Sequence, residues 1–204
     1  MIEGLVSPGE LTWSGEHWIN YLRLPGASSD SGMVSLFNIR WSPAGNGMAA
    51  WVWIPGDEGL RAICSDHREV TDFIVEIMAK TAANPPYDDE LPVMEASFSQ
   101  GGDIRRAPSW TIHTGAREIV ATWTQIRPVV IANGTWPPCP SGNYCFSLLH
   151  FADGGSISLD GRLVGGAPYT RDIWQRTIGG QRSSCVFALA ESFIRLPAEG
   201  GGGK

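Results

Sequence analysis

No segment of the chain approaches the roughly 18 consecutive apolar residues that a membrane-crossing helix requires, so none is expected. The opening stretch, "MIEGLVSPGELTW", has no basic run leading into an apolar one and does not read as a secretory signal. Histidine is scarce: the four residues, His17, His67, His113 and His150, show no HxH or HxxxH spacing, which argues against a metal site. The strand-to-helix serine elbow G-x-S-x-G is missing, as are a Walker loop and a dinucleotide fingerprint. Those absences remove most nucleotide-dependent and hydrolase readings, and no cofactor is expected. Charge is also sparse, at 18% of residues with a formal net of −6, which argues against nonspecific binding to nucleic acid or an anionic membrane. The basic pair Arg105–Arg106 in "GGDIRRAP" reads as a solvated loop.

Apolar residues, by contrast, make up 43% of the 204, enough for a sizeable core in one domain over 1–197. The tail 198–204, "AEGGGGK", reads as flexible. Nine tryptophans suit packed cores and ligand-lined cavities alike. Of four cysteines, Cys64 and Cys185 sit in apolar runs, while Cys139 and Cys145 flank the turn-like "PPCPSGNYC" at a spacing that is not a zinc knuckle. All four are expected to be reduced and structural, in a cytoplasmic protein.

Strand patterns dominate. "HWINYLRL" (17–24), "MVSLFNIRW" (33–41), "MAAWVWI" (48–54) and "LRAIC" (60–64) come first. They are separated by Pro-Gly and Asn-Gly turn signals. Further runs lie at 93–99, 109–114, 117–126, 143–152, 156–164 and 184–196, with a turn expected at Gly154–Gly155. The expectation is a mainly β protein, an antiparallel barrel of about 8–10 strands or else a sandwich. One segment has helical spacing: Val70, Phe73, Ile74, Ile77 and Met78 predict a helix at about 66–80, started by Asp66 and Glu69 and ended by Pro85–Pro86. The stretch "GGAPYTRDIWQRTIGGQRSS" reads as a loop or short irregular element, either solvated or a lid.

Alternation assigns side chains to faces. In 144–152, Tyr144, Phe146, Leu148 and His150 share one face, with Cys145, Ser147, Leu149 and Phe151 on the other. In the last strand, Cys185, Phe187, Leu189, Glu191, Phe193 and Arg195 would share a face, placing a carboxylate among apolar neighbours. Burial raises a carboxyl pKa toward the range useful for proton transfer, so Glu191 and His150 are the candidate acid and base. The competing accounts are a Glu191 that faces solvent or pairs with Arg195, and a His150 that is a satisfied structural group. His17 and His67 are weaker candidates. An apolar cavity would be lined by Trp51, Trp53, Trp123, Gln125, Tyr144, Phe146 and Phe187, and would hold a small hydrophobic molecule.

"SGEHWINYLRL" followed by "GMAAWVWIPGDEG" resembles the lipocalin-like carotenoid hydratase family and its relatives among small-molecule cyclases. There too an early strand carries a tryptophan, and a Trp-rich strand runs into a Pro-Gly turn. The likeness covers about 40 residues near the N-terminus. It departs from the family in offering one domain where two are usual, and no catalytic residue is carried over. The resemblance implies a calycin-like barrel that encloses a hydrophobic substrate and hydrates, isomerises or cyclises it. Two other functions fit the same residues: a carrier without turnover, or an interaction module with a Trp-rich surface. A homodimer is compatible with each.

Overall fold

The computed structural model describes residues 9–79, 90–135 and 143–196. Four strands open the chain as an antiparallel meander: β1 (Glu10–Leu22), β2 (Gly32–Trp41), β3 (Gly47–Ile54) and β4 (Leu60–Ser65). β1 starts well before the "HWINYLRL" pattern, so His17 lies in mid-strand rather than at a strand start. Helix α1 (Arg68–Ala79) follows, and its apolar face of Val70, Ile74, Ile77 and Met78 packs against the sheet, as its spacing predicts. Asp66 does not cap it: Asp66 Oδ1 accepts the Met48 N–H at 2.6 Å, while His67 Nδ1 faces the Val70 N–H at 3.4 Å. Pro85–Pro86 lies outside the described residues.

Strand β5 (Val93–Glu95) runs parallel to β4, and β6 (Ser97–Asp103), β7 (Ala107–His113) and β8 (Glu118–Ile126) form a second meander. Next come β9 (Val130–Gly134), the long β10 (Asn143–Leu159), the short β11 (Arg162–Leu163), helix α2 (Asp172–Ile178) and β12 (Cys185–Arg195). β10 passes through Gly154–Gly155 without turning. An added Cβ would lie 2.1 Å from Thr124 Oγ1 at the first glycine and 2.7 Å from Cys185 Sγ at the second, so these glycines serve close strand packing. The turn falls instead at Asp160–Gly161, whose φ values of 52° and 75° suit a two-residue hairpin. Helix α2 is a regular element within the stretch read as a loop or short irregular element. Its seven residues are too few to display a helical period, and Trp174 anchors it edge-on to Phe151 at 5.7 Å.

Among the described residues, all twelve strands join one sheet, in the order β5-β4-β3-β2-β1-β12-β10-β8-β7-β6, with β9 and β11 each pairing with β10. The first and last strands are therefore neighbours at its centre. The sheet is strongly curled into a half-barrel. On one face it closes over itself. Trp123 Nε1 of β8 donates to Ile19 O of β1 at 2.7 Å, Asn20 Nδ2 donates to Thr122 O at 2.8 Å, and Trp18 meets Trp110 edge-on at 6.0 Å. This Trp18 face is filled by Trp18, Trp110, Trp123, Phe187 and aliphatic neighbours. The opposite face, bearing Trp13, Phe37 and Trp51, is covered by α1 and by Trp174 of α2. No helix among the described residues is long and apolar enough to cross a membrane.

The cysteines depart from expectation at one position. Cys64 and Cys185 are free and buried, and burial pushes both thiols up to about 12. Cys145, however, is disulfide-bonded, whereas Cys139 lies outside the described residues. A spacing that rules out a zinc knuckle leaves a disulfide open, and disulfides persist in oxidising surroundings. Reduced thiols thus lend no support to a cytoplasmic location.

Candidate functional site

Strict alternation would place Glu191 beside Phe187, but a bulge intervenes. Ala188 pairs with both His17 and Leu149, and Glu191 pairs with both Gly15 and Ser147, so β12 spends one residue more than either neighbour. The extra residue falls at Leu189–Ala190 and reverses the phase. Cys185 and Phe187 stay on the Trp18 face, while Glu191 and Phe193 turn to the face of Trp13 and Phe37. Gly15, directly opposite Glu191, admits no side chain, since a Cβ would sit 2.2 Å from Asn38 O.

On that face a polar line crosses four adjacent strands of an otherwise apolar layer. Ser35 Oγ of β2 lies 3.0 Å from His17 Nε2 of β1. His17 Nδ1 lies 3.4 Å from Glu191 Oε1 of β12, and Glu191 Oε2 accepts the Ser147 hydroxyl of β10 at 2.7 Å. All four are enclosed, with exposures of 9% for His17, 6% for Glu191, and 0% for Ser35 and Ser147. The imidazole lies flat on Phe37, at a centroid distance of 3.9 Å and an interplanar angle of 17°. Phe37 and Phe193 also flank Trp13, edge-on at 5.9 and 5.1 Å, and Trp13 Nε1 is a buried donor with no hydrogen-bond partner.

Ser147 donates its hydroxyl proton to Glu191 Oε2, and His17 Nε2 and Ser35 Oγ share a hydrogen bond whose direction is set by the imidazole tautomer. The arrangement places a hydroxyl, an imidazole and a carboxyl group together away from bulk water.

The remaining candidates are scattered. His150 occupies the other face, stacked on Phe187 at 5.1 Å, and is not brought to Glu191. Burial holds its imidazole below the ordinary histidine range, against a hydrogen bond with the Arg127 backbone that raises it. Trp51 lies on the Glu191 face, edge-on to Phe37 at 5.6 Å, and Trp53 packs partly buried against the same cluster. Trp123 and Phe187 belong to the filled Trp18 face. Tyr144 and Phe146 are half-buried, and Gln125 is exposed at a φ of 55°, out of step with Trp123. Glu191 does not pair with Arg195, whose Nη1 reaches Glu10 at 3.2 Å. A cleft of about 490 Å³ opens between the β3–β4 turn and the β10–β11 hairpin, lined by Ile54, Leu159 and the ion pair Arg162–Glu58 among others, and contains none of these candidates.

Alternation alone misses three members of the polar line. The signal was nonetheless present: Ser35 lies between Met33 and Phe37, Ser147 between Cys145 and Leu149, and His17 between Trp13 and Ile19 in the phase of a buried face. Among the described residues, no group of three His, Cys, Asp or Glu side chains is placed to hold a metal ion. No protein-family model matches the chain, and no curated protein matches it either.

Proposed function

We propose that the protein binds a small, largely apolar molecule and acts on it by cofactor-independent acid–base chemistry, with His17 and Glu191 as the proton-handling pair. One observation carries this reading: the enclosed line Ser35–His17–Glu191–Ser147 in a layer otherwise built of aromatic and aliphatic side chains. Such a line is a poor way to gain stability. Desolvating a carboxylate costs several kcal/mol, and buried ionic groups are commonly replaced by apolar ones with no loss. Groups of this kind, close together and screened from water, are the ones whose protonation chemistry catalysts use. Trp13 adds a buried donor that an acceptor atom on a bound molecule would satisfy. Hydration, isomerisation or cyclisation is the reaction class that the N-terminal resemblance suggests.

The test begins with gentle purification of the native protein and identification of any co-purified small molecule by mass spectrometry. Turnover of that molecule is then compared with Glu191→Gln, which keeps the side-chain shape and removes the charge. Turnover should fall by about 10²–10⁴ while affinity stays within about tenfold. Equal turnover in the variant removes Glu191 from the chemistry. Tight binding with no product from the wild-type protein makes it a carrier.

A further inference from the structure

β5 and β6 stand at the two ends of the sheet order, yet Ala96 alone separates them in the chain. β5 is three residues long and lies against β4, whereas β6 runs for seven residues against β7. Among the described residues, the second edge of β6 has no strand beside it, and the backbone of 97–103 bonds only to β7 and to its own hairpin turn. Half of the N–H and C=O groups of an antiparallel strand point away from its neighbour, so this edge presents a bare ladder. Natural sheets usually blunt such edges with lysine, proline or shortness. β6 has no lysine or proline, is the longest edge strand among the described residues, and carries its one charge, Asp103, at the last position. All of its residues are exposed except Phe98, which is half-buried.

We propose that β6 is a dimerisation edge, pairing antiparallel with β6 of a second copy about a twofold axis at Gln100. The asymmetry of the strand selects both that occupant and that register. Side chains fill its first half and glycines its second, so Phe98 comes opposite Gly102 of the second copy and Ser99 opposite Gly101. An aromatic ring set beside a glycine covers the backbone that the glycine leaves open. Charge follows the same pattern. Glu95 and Arg105 lie equally far from Gln100 on its two sides, both are exposed, and neither side chain has an ion-pair partner among the described residues. Asp103 comes opposite Ser97 and is offset within its own chain by Arg106, whose Nε lies 3.9 Å away. Antiparallel pairing brings each Glu95 toward the Arg105 of the other copy, whereas in-register parallel pairing would set like charges together. An unrelated extended peptide would have to supply both features, while a second copy supplies them by symmetry.

Sedimentation velocity of the native full chain over about 1 µM to 1 mM should show a reversible monomer–dimer equilibrium. Hydrogen exchange of the wild-type protein locates the contact without a variant: amides of 97–103 should slow as concentration rises, while the rest of the sheet is unchanged. Gln100→Lys sets two ammonium groups against each other on the axis and should raise the dissociation constant at least about tenfold, with the far-UV circular dichroism unchanged. Glu95→Arg and Arg105→Glu should each weaken the dimer by about three- to tenfold, and the two together should restore it. A monomer at every concentration overturns the proposal, whether or not another protein takes this edge. So does a dimer whose protection falls outside 97–103, or one that Gln100→Lys leaves intact. A double reversal no tighter than the single ones overturns the register.

Discussion

Replacing each member of the His17–Glu191 pair by leucine should have unequal consequences. In His17→Leu the carboxylate stays at 6% exposure with only the Ser147 hydroxyl facing it. Removing one partner of a buried pair leaves the other uncompensated, so the penalty for His17→Leu is expected at about 3 kcal/mol, loss of the flat contact on Phe37 included. In Glu191→Leu no charge is stranded. His17 keeps its bond to Ser35 and loses its contact with Glu191, and the new apolar side chain enters an apolar layer, for a net cost of about 1 kcal/mol. The double variant removes the stranded carboxylate, so about 2 kcal/mol of the His17→Leu penalty should be recovered as coupling. For a chain of this length the His17→Leu change corresponds to a fall in Tm of about 6–12 °C. Urea unfolding followed by tryptophan fluorescence at pH 7 would measure each corner of the cycle. Equal, additive losses for the two single variants would refute the picture of a buried carboxylate compensated by His17. A Glu191→Leu protein of near-native stability that has lost activity would show a line kept for chemistry at the expense of packing.

Gly155→Ala should destabilise the fold by roughly 1–3 kcal/mol, because the new methyl meets Cys185 Sγ at 2.7 Å beside fully buried Asn20. An unchanged urea midpoint would show that the sheet yields there. Ellman titration should find no reactive thiol in the native protein and two per chain, Cys64 and Cys185, after denaturation without reductant. Four thiols under those conditions would refute the disulfide at Cys145.

Periodicity alone determined much of this protein. Alternating runs joined by Pro-Gly and Asn-Gly turns specify a mainly β chain, and the spacing of Val70, Ile74, Ile77 and Met78 specifies α1, because both are local consequences of which residues need burial. The same reasoning singled out Glu191 as a carboxylate in an apolar setting, and it is buried. What alternation lacks is any record of a bulge. One extra residue at Leu189–Ala190 reverses the phase of β12, moves Glu191 away from Phe187 and His150, and sets it between β1 and β10. Pairing of the first strand with the last is equally invisible locally, since it joins residues at opposite ends of the sequence. Only the assembled sheet brings Ser35, His17, Glu191 and Ser147 into one line, because hydrogen-bond register, rather than the character of any single strand, decides which side chains become neighbours.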